Sequence, residues 1–229
     1  MPRVLMRVLG VALGLAMQLA HAQIASLPDQ LTAAIYRTDI EAVRTLLAQG
    51  VPVNAADNDG FTPLVAAASA ARVQPQSFEI IDLLLAAGAN LERSAPVTAL
   101  DAAARNGQAN VMAHLLGKGA KINAGMESGH TALFQATWRR SASTAAMLIA
   151  HGANVHTRTA EGWTPLHMAA LYGMAPTVRL LIKAGASVNA RAKDGKTPLA
   201  YARRGAPALG ASKAKPDLIK ALVKAGAVE

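Results

Sequence analysis

Gly162-Trp163-Thr164-Pro165-Leu166-His167-Met168-Ala169-Ala170 is the stretch on which the reading of this chain turns. Its core, threonine-proline-leucine or threonine-alanine-leucine, recurs at Thr62, Thr98, Thr131, Thr164 and Thr197, in steps of 36, 33, 33 and 33 residues. A period of about 33 residues marks stacked helical units, each too small to bury its own apolar face and dependent on its neighbours.

The punctuation around each copy has a physical reason. Gly60, Gly129, Gly162 and Gly195 stand two residues before their threonines, where a tight turn wants a positive φ. The threonine is read as the N-cap of a first helix, and the proline after it as N1, where a missing N–H costs nothing. Paired alanines such as Ala67-Ala68, Ala103-Ala104 and Ala169-Ala170 let helices approach closely. A second helix then ends on two adjacent aliphatics, as in Leu84-Leu85 and Leu181-Ile182, and a Gly-Ala pair closes the unit. Asn54, Asn123 and Asn189 lie four residues after their glycines.

This pattern, Gly-x-Thr-Pro-Leu-His-x-Ala-Ala, a second helix, Leu-Leu-x-x-Gly-Ala and Asn-Ala, resembles that of ankyrin-repeat proteins, and residues 162–190 match it closely. The resemblance implies an all-α solenoid of stacked antiparallel helix pairs with β-turn fingers. It also implies binding of other proteins rather than catalysis. The expected organisation is a signal peptide over 1–22 and a repeat domain over 23–229. Within that domain an N-terminal capping pair spans 27–55, repeats begin near 58, 94, 127 and 160, and a capping repeat spans 193–229.

Departures from the pattern carry their own expectations. Thr62 to Gly88 spans 26 residues against 21 for Thr98 to Gly119, and Ala71 to Gln76 is read as a longer inter-helix loop. The connection from Asn90 to Val97 lacks the turn glycine, so a short finger is expected there. Gly205 to Pro216 reads as an inserted loop before a cap helix over Asp217–Lys224.

The first residues follow a different logic. Arg3 and Arg7 precede an apolar run from Val8 to Ala20, and Ala20-His21-Ala22 offers a small-x-small cleavage site before Gln23. Export to the periplasm or the medium is expected. The run falls short of the ~20 residues of a spanning helix, which favours cleavage over an uncleaved anchor. The chain has no cysteine, which excludes a disulfide framework and thiolate metal sites and suits an oxidising compartment. Its net charge is +9, or +7 once Arg3 and Arg7 are gone. An exported protein meets little nucleic acid, so the basic balance points to acidic proteins or anionic envelope surfaces.

Reactive constellations are missing. His167 occupies a framework position, and no HExxH, paired-histidine, nucleophile-elbow or phosphate-loop spacing occurs. No catalytic residue, metal or cofactor is therefore expected. Asp57 and Asp59 read as turn formers beside Gly60.

The expected function is protein binding through the finger tips and the inner face of the first helices. Phe61 and Trp163 fall on fingers, and Trp138, Tyr172 and Tyr201 on first helices. Aromatics are costly to leave in water and frequent at binding hot spots. Arg139 and Arg140 follow Trp138, Arg158, Arg191, Lys193 and Lys196 lie on later fingers, and Arg203 and Arg204 end the last first helix. Phe61, Trp138, Arg139, Trp163, Tyr172, Lys193, Lys196 and Tyr201 are the candidate contacts. Trp138, Arg139, Trp163, Tyr172, Lys193 and Lys196 are expected to form one contiguous patch facing an acidic protein. The chain itself is expected to be a monomer. The competing reading is a basic solenoid docked on anionic polymers or lipid headgroups.

Overall fold

The computed structural model describes residues 26–70, 74–93, 96–126, 128–205 and 216–228. The expected signal peptide lies outside these residues, as do Ala71 to Val73, part of the Asn90–Val97 connection, and the 206–215 part of the expected C-terminal loop.

The described residues form twelve helices in six pairs, with no strand. The inner member of each pair is α1 (Leu27–Tyr36), α3 (Pro63–Ser69), α5 (Ala99–Arg105), α7 (Ala132–Trp138), α9 (Pro165–Leu171) or α11 (Pro198–Arg204). The outer members are α2 (Ile40–Ala48), α4 (Pro75–Ala86), α6 (Ala109–Gly117), α8 (Ala142–Ala150), α10 (Ala175–Lys183) and α12 (Pro216–Lys224). Each inner helix packs on the next inner helix, which produces one row from α1 to α11.

Five of the inner helices have only seven residues, too short to persist alone in water. Local caps and stacking hold them. Thr62, Thr98, Thr131, Thr164 and Thr197 each accept the N–H of the third helical residue. Leu64, Leu100, Leu133, Leu166 and Leu199 are all 2% exposed or less, and Ala68, Ala104 and Ala136 are fully buried. Small side chains here let consecutive helices close on one another, so the core runs the length of the stack.

Polar staples fix the spacing between units. The Asn54 side chain donates to the Gly88 carbonyl at 2.9 Å and accepts the Asn90 N–H at 2.8 Å. Asn123 accepts the Asn154 N–H at 2.7 Å, and Asn189 bonds the Gly226 carbonyl and the Val228 N–H. Each asparagine thus ties the loop leaving one pair to the loop leaving the next. This accounts for its place in the repeat.

One expectation is corrected. Pro75 and Gln76 do not lie in a loop; they open α4, with Pro75 at N1. That helix has 12 residues where α6, α8 and α10 have nine, so part of the extra length is helical. The final cap helix begins at Pro216, one residue before Asp217.

Candidate protein-binding interface

The residue just before each capping threonine is aimed by its finger. In four fingers the backbone closes in the same way. Asp57 N–H donates to the Phe61 carbonyl, Met126 N–H to His130, Thr159 N–H to Trp163, and Ala192 N–H to Lys196, at 2.9, 2.9, 2.9 and 3.0 Å. Neighbouring fingers are joined as well: Ala160 N–H bonds the Ser128 carbonyl and Lys193 N–H the Glu161 carbonyl, both at 2.9 Å. His130, Trp163 and Lys196 are therefore held in one register over the inner helices.

Two aromatic clusters follow. The His130 ring lies 4.6 Å from Phe134 and 5.8 Å from Trp138. The Trp163 ring lies 4.4 Å from Tyr201 and 6.3 Å from His167. Between units, a groove of about 280 Å³ is walled by Arg105, Met126, His130, Gln135, Trp138 and Arg139. A second, of about 240 Å³, lies between Trp138 and Trp163 over Phe134 and Met168. His130 and Trp138 line both, and Trp138, 48% exposed, is the most open aromatic in either. Burial lowers the pKa of His130, and its Nδ1 stands 2.6 Å from Ser128 Oγ. A neutral imidazole adds no charge to this wall.

The expected contacts divide. Trp138, Arg139 and Trp163 come together along these grooves. Tyr172 is half-buried against the core beneath Arg140, whose guanidinium carbon lies 4.7 Å from its ring centre. Lys193 is exposed at a finger tip. Lys196 is half-buried, pairs with Asp194 at 2.6 Å and sits 5.9 Å from the Tyr201 ring centre. Phe61 packs on the core at the first of the regular fingers, apart from both grooves.

Tyr201 requires a correction. It is only 3% exposed, covered by Trp163, and donates its hydroxyl to Asp194 at 2.7 Å. Burial and that carboxylate push its pKa up to about 12, and the bonds from Lys196 and Tyr201 bring Asp194 down to about 2. Tyr201 is a packing residue between two units. Tyr172, Lys193 and Lys196 line neither groove.

Arg105, Met126, His130 and Gln135 line the first groove and were not foreseen. A signal existed for two of them. His130 has the register of Trp163, one residue before the threonine, and Arg105 has that of Trp138, seven after it. Among the described residues no group of three histidine or acidic side chains is placed to hold a metal ion. No helix among them is long and apolar enough to cross a membrane.

Comparison with known proteins places these features. Models of ankyrin repeats match residues 69–159 and 147–228, and another matches 31–74. An ankyrin repeat domain from Acinetobacter baumannii, solved at 1.00 Å resolution, is 31% identical, with a TM-score of 0.70 over 86% of this chain and 98% of that one. A chain from a solved complex, a predatory endopeptidase from Bdellovibrio bacteriovorus with an immunity protein, is 28% identical. There the TM-score is 0.68 over 88% of this chain and 99% of that one. No curated protein matches the sequence.

Proposed function

This chain belongs to the ankyrin-repeat family, and from that premise we propose that it acts outside the cytoplasm, in the periplasm or secreted, as the inhibitor or immunity factor of a hydrolase. Ankyrin repeats are typically non-enzymatic scaffolds for protein–protein interaction. The single observation that carries the narrower reading is the likeness, over 88% of this chain, to a chain of the endopeptidase–immunity protein complex. The basic opening and the Ala20-His21-Ala22 site support export. On this reading the protein is a monomer until it meets an acidic partner surface, and the partner is an envelope hydrolase or stress-defence enzyme.

The test begins with N-terminal sequencing of the exported protein, where Gln23 is the expected first residue. The mature chain is then immobilised and exposed to envelope extract in ~0.5 M salt, where the Debye length is about 4 Å and surface attraction is largely screened. The expected result is one partner in fixed stoichiometry whose hydrolytic activity falls on binding. A partner whose activity is untouched would leave an accessory role in place of inhibition. Retention only on anionic vesicles or polyanions, lost at moderate salt, would favour the basic-solenoid reading instead.

A further inference from the structure

Most cations of the later fingers are engaged within the protein. Arg158 Nη1 donates to the carbonyls of Gly162 and Arg191 at 3.2 and 2.9 Å. Arg191 Nη1 donates to the Gly195 carbonyl at 2.7 Å, and Lys196 pairs with Asp194. These contacts tie Arg158 and Arg191, each through one terminal nitrogen, to finger carbonyls and hold Lys196 to a carboxylate.

Arg105 and Arg139 stand at the ends of the inner helices α5 and α7 rather than on the fingers. Both are exposed, and no described carboxylate forms an ion pair with either. Arg139 donates through Nε to the Arg105 carbonyl at 3.3 Å, which fixes its stem and leaves its terminal nitrogens to other acceptors. The two arginines stand at the junction of two recesses. On one side is the apolar groove with Met126 and Trp138; on the other are Asn106, Gln108 and Ser141. A cationic fork with no ion-pair partner among the described residues, beside an aromatic wall, complements a carboxylate that has an apolar neighbour. The recess lies between adjacent units, so a single chain segment enters it where a plane of lipid headgroups does not.

We infer that Arg105 and Arg139 together hold one Asp or Glu side chain of the partner protein, with an adjacent apolar side chain seated against Trp138 and Met126. The inference rests on the protein-binding reading above and deepens it by naming the chemistry of the recognised segment.

A phage-displayed random dodecapeptide library, selected on the immobilised full chain, tests it. The expected enrichment is Asp or Glu beside Leu, Phe or Trp. The best peptide, synthesised with blocked ends, should lose roughly tenfold or more in affinity on Arg105→Gln with the melting curve unmoved. Selection on Arg105→Glu should replace the carboxylate by Lys or Arg, a reversal that a merely structural arginine would not produce. Failure of any peptide to enrich, enrichment without carboxylates, acidic peptides indifferent to Arg105→Gln, or binding to phosphatidylglycerol vesicles in place of peptides would each overturn the inference. The two readings fail separately. An envelope partner still recovered by Arg105→Glu in fixed stoichiometry removes this site and leaves the scaffold. Carboxylate-selective peptides with no envelope hydrolase recovered by the wild type leave the site and remove the hydrolase reading.

Discussion

The indole of Trp163 and the phenol of Tyr201 stand 4.4 Å apart with their planes tilted by 51°, so a finger residue of one unit roofs the inner helix of the next. Trp163→Ala would uncover Tyr201 and open the seam between α9 and α11. The half-buried indole should cost roughly 2–3 kcal/mol, below the range for a fully buried tryptophan. A urea midpoint lowered accordingly, with Trp163→Phe restoring much of the loss, is the expected outcome. An unmoved midpoint would return Trp163 to the list of simple surface contacts.

Trp138 should behave in the opposite way. It is 48% exposed and touches Phe134 edge-on and His130 at a tilt, at centroid distances of 6.2 and 5.8 Å. Trp138→Ala is expected to change stability by less than about 1 kcal/mol while weakening the partner about tenfold or more. Melting curves and affinity measured on one variant separate the two effects. A large stability loss with affinity retained would make this wall structural.

The contrast between these two tryptophans shows where the sequence is legible. The threonine caps, N1 prolines and turn glycines act within a few residues of themselves, so their roles can be read from spacing alone. Tyr201 is another matter. Whether a first-helix aromatic faces partner or neighbour depends on Trp163 and Asp194 in adjoining fingers, which no local pattern reports. Arg158 and Lys196 read as available in the sequence for the same reason; their acceptors are a carbonyl 33 residues away and a carboxylate set by the finger's fold. His130 shares the register of Trp163, but a histidine among aromatics has no pattern of its own in the sequence. Pro75 carries two meanings in sequence, loop or helix start, and only the packed α4 distinguishes them.

Finger stacking makes a second comparison sharp. Gly129 has φ +78°, and a Cβ there would stand 2.2 Å from the Arg158 carbonyl oxygen and 3.0 Å from Thr159 Cα. Gly60, at φ +84°, has nothing within 4 Å. Gly60→Ala should cost only the left-handed backbone, about 1 kcal/mol. Gly129→Ala should cost about 3 kcal/mol, because the next finger must move and the Ala160–Ser128 bond is lost. Equal melting temperatures for the two variants would mean that the fingers do not pack as described.

The last prediction concerns Asp101 and His167, which share one position, three residues after a capping threonine. His167 fits that position: Nδ1 accepts the Thr164 N–H at 3.0 Å, and Nε2 reaches the Lys196 carbonyl at 3.3 Å. Asp101 accepts the Thr98 N–H through Oδ2 at 3.3 Å, but its buried Oδ1 has no partner. Burial raises the Asp101 pKa to about 7, with the two Thr98 bonds opposing and Glu92 adding to the rise. Burial lowers the pKa of His167. The two therefore tilt stability in opposite directions. Asp101 is neutral in both states below 3.8, and its contribution is whole there. As pH rises from 3.8 the unfolded chain gives up the proton first, so stability falls until the folded carboxyl ionises near 7. His167 does the reverse: its contribution is whole above 6.5 and is lost as pH falls toward its lowered folded value. Asp101→Asn keeps an acceptor for Thr98 and removes the charge. Because His167 is common to both proteins, its effect cancels in the difference between them. The variant should be more stable than wild type at pH 8 by up to about 4 kcal/mol, at ~1.4 kcal/mol for each tenfold in proton affinity. The gain should fade toward zero at pH 4, where wild-type Asp101 is neutral when folded. Urea unfolding of both proteins at the two pH values decides it, and a difference that does not change with pH would mean that Asp101 ionises freely in the fold.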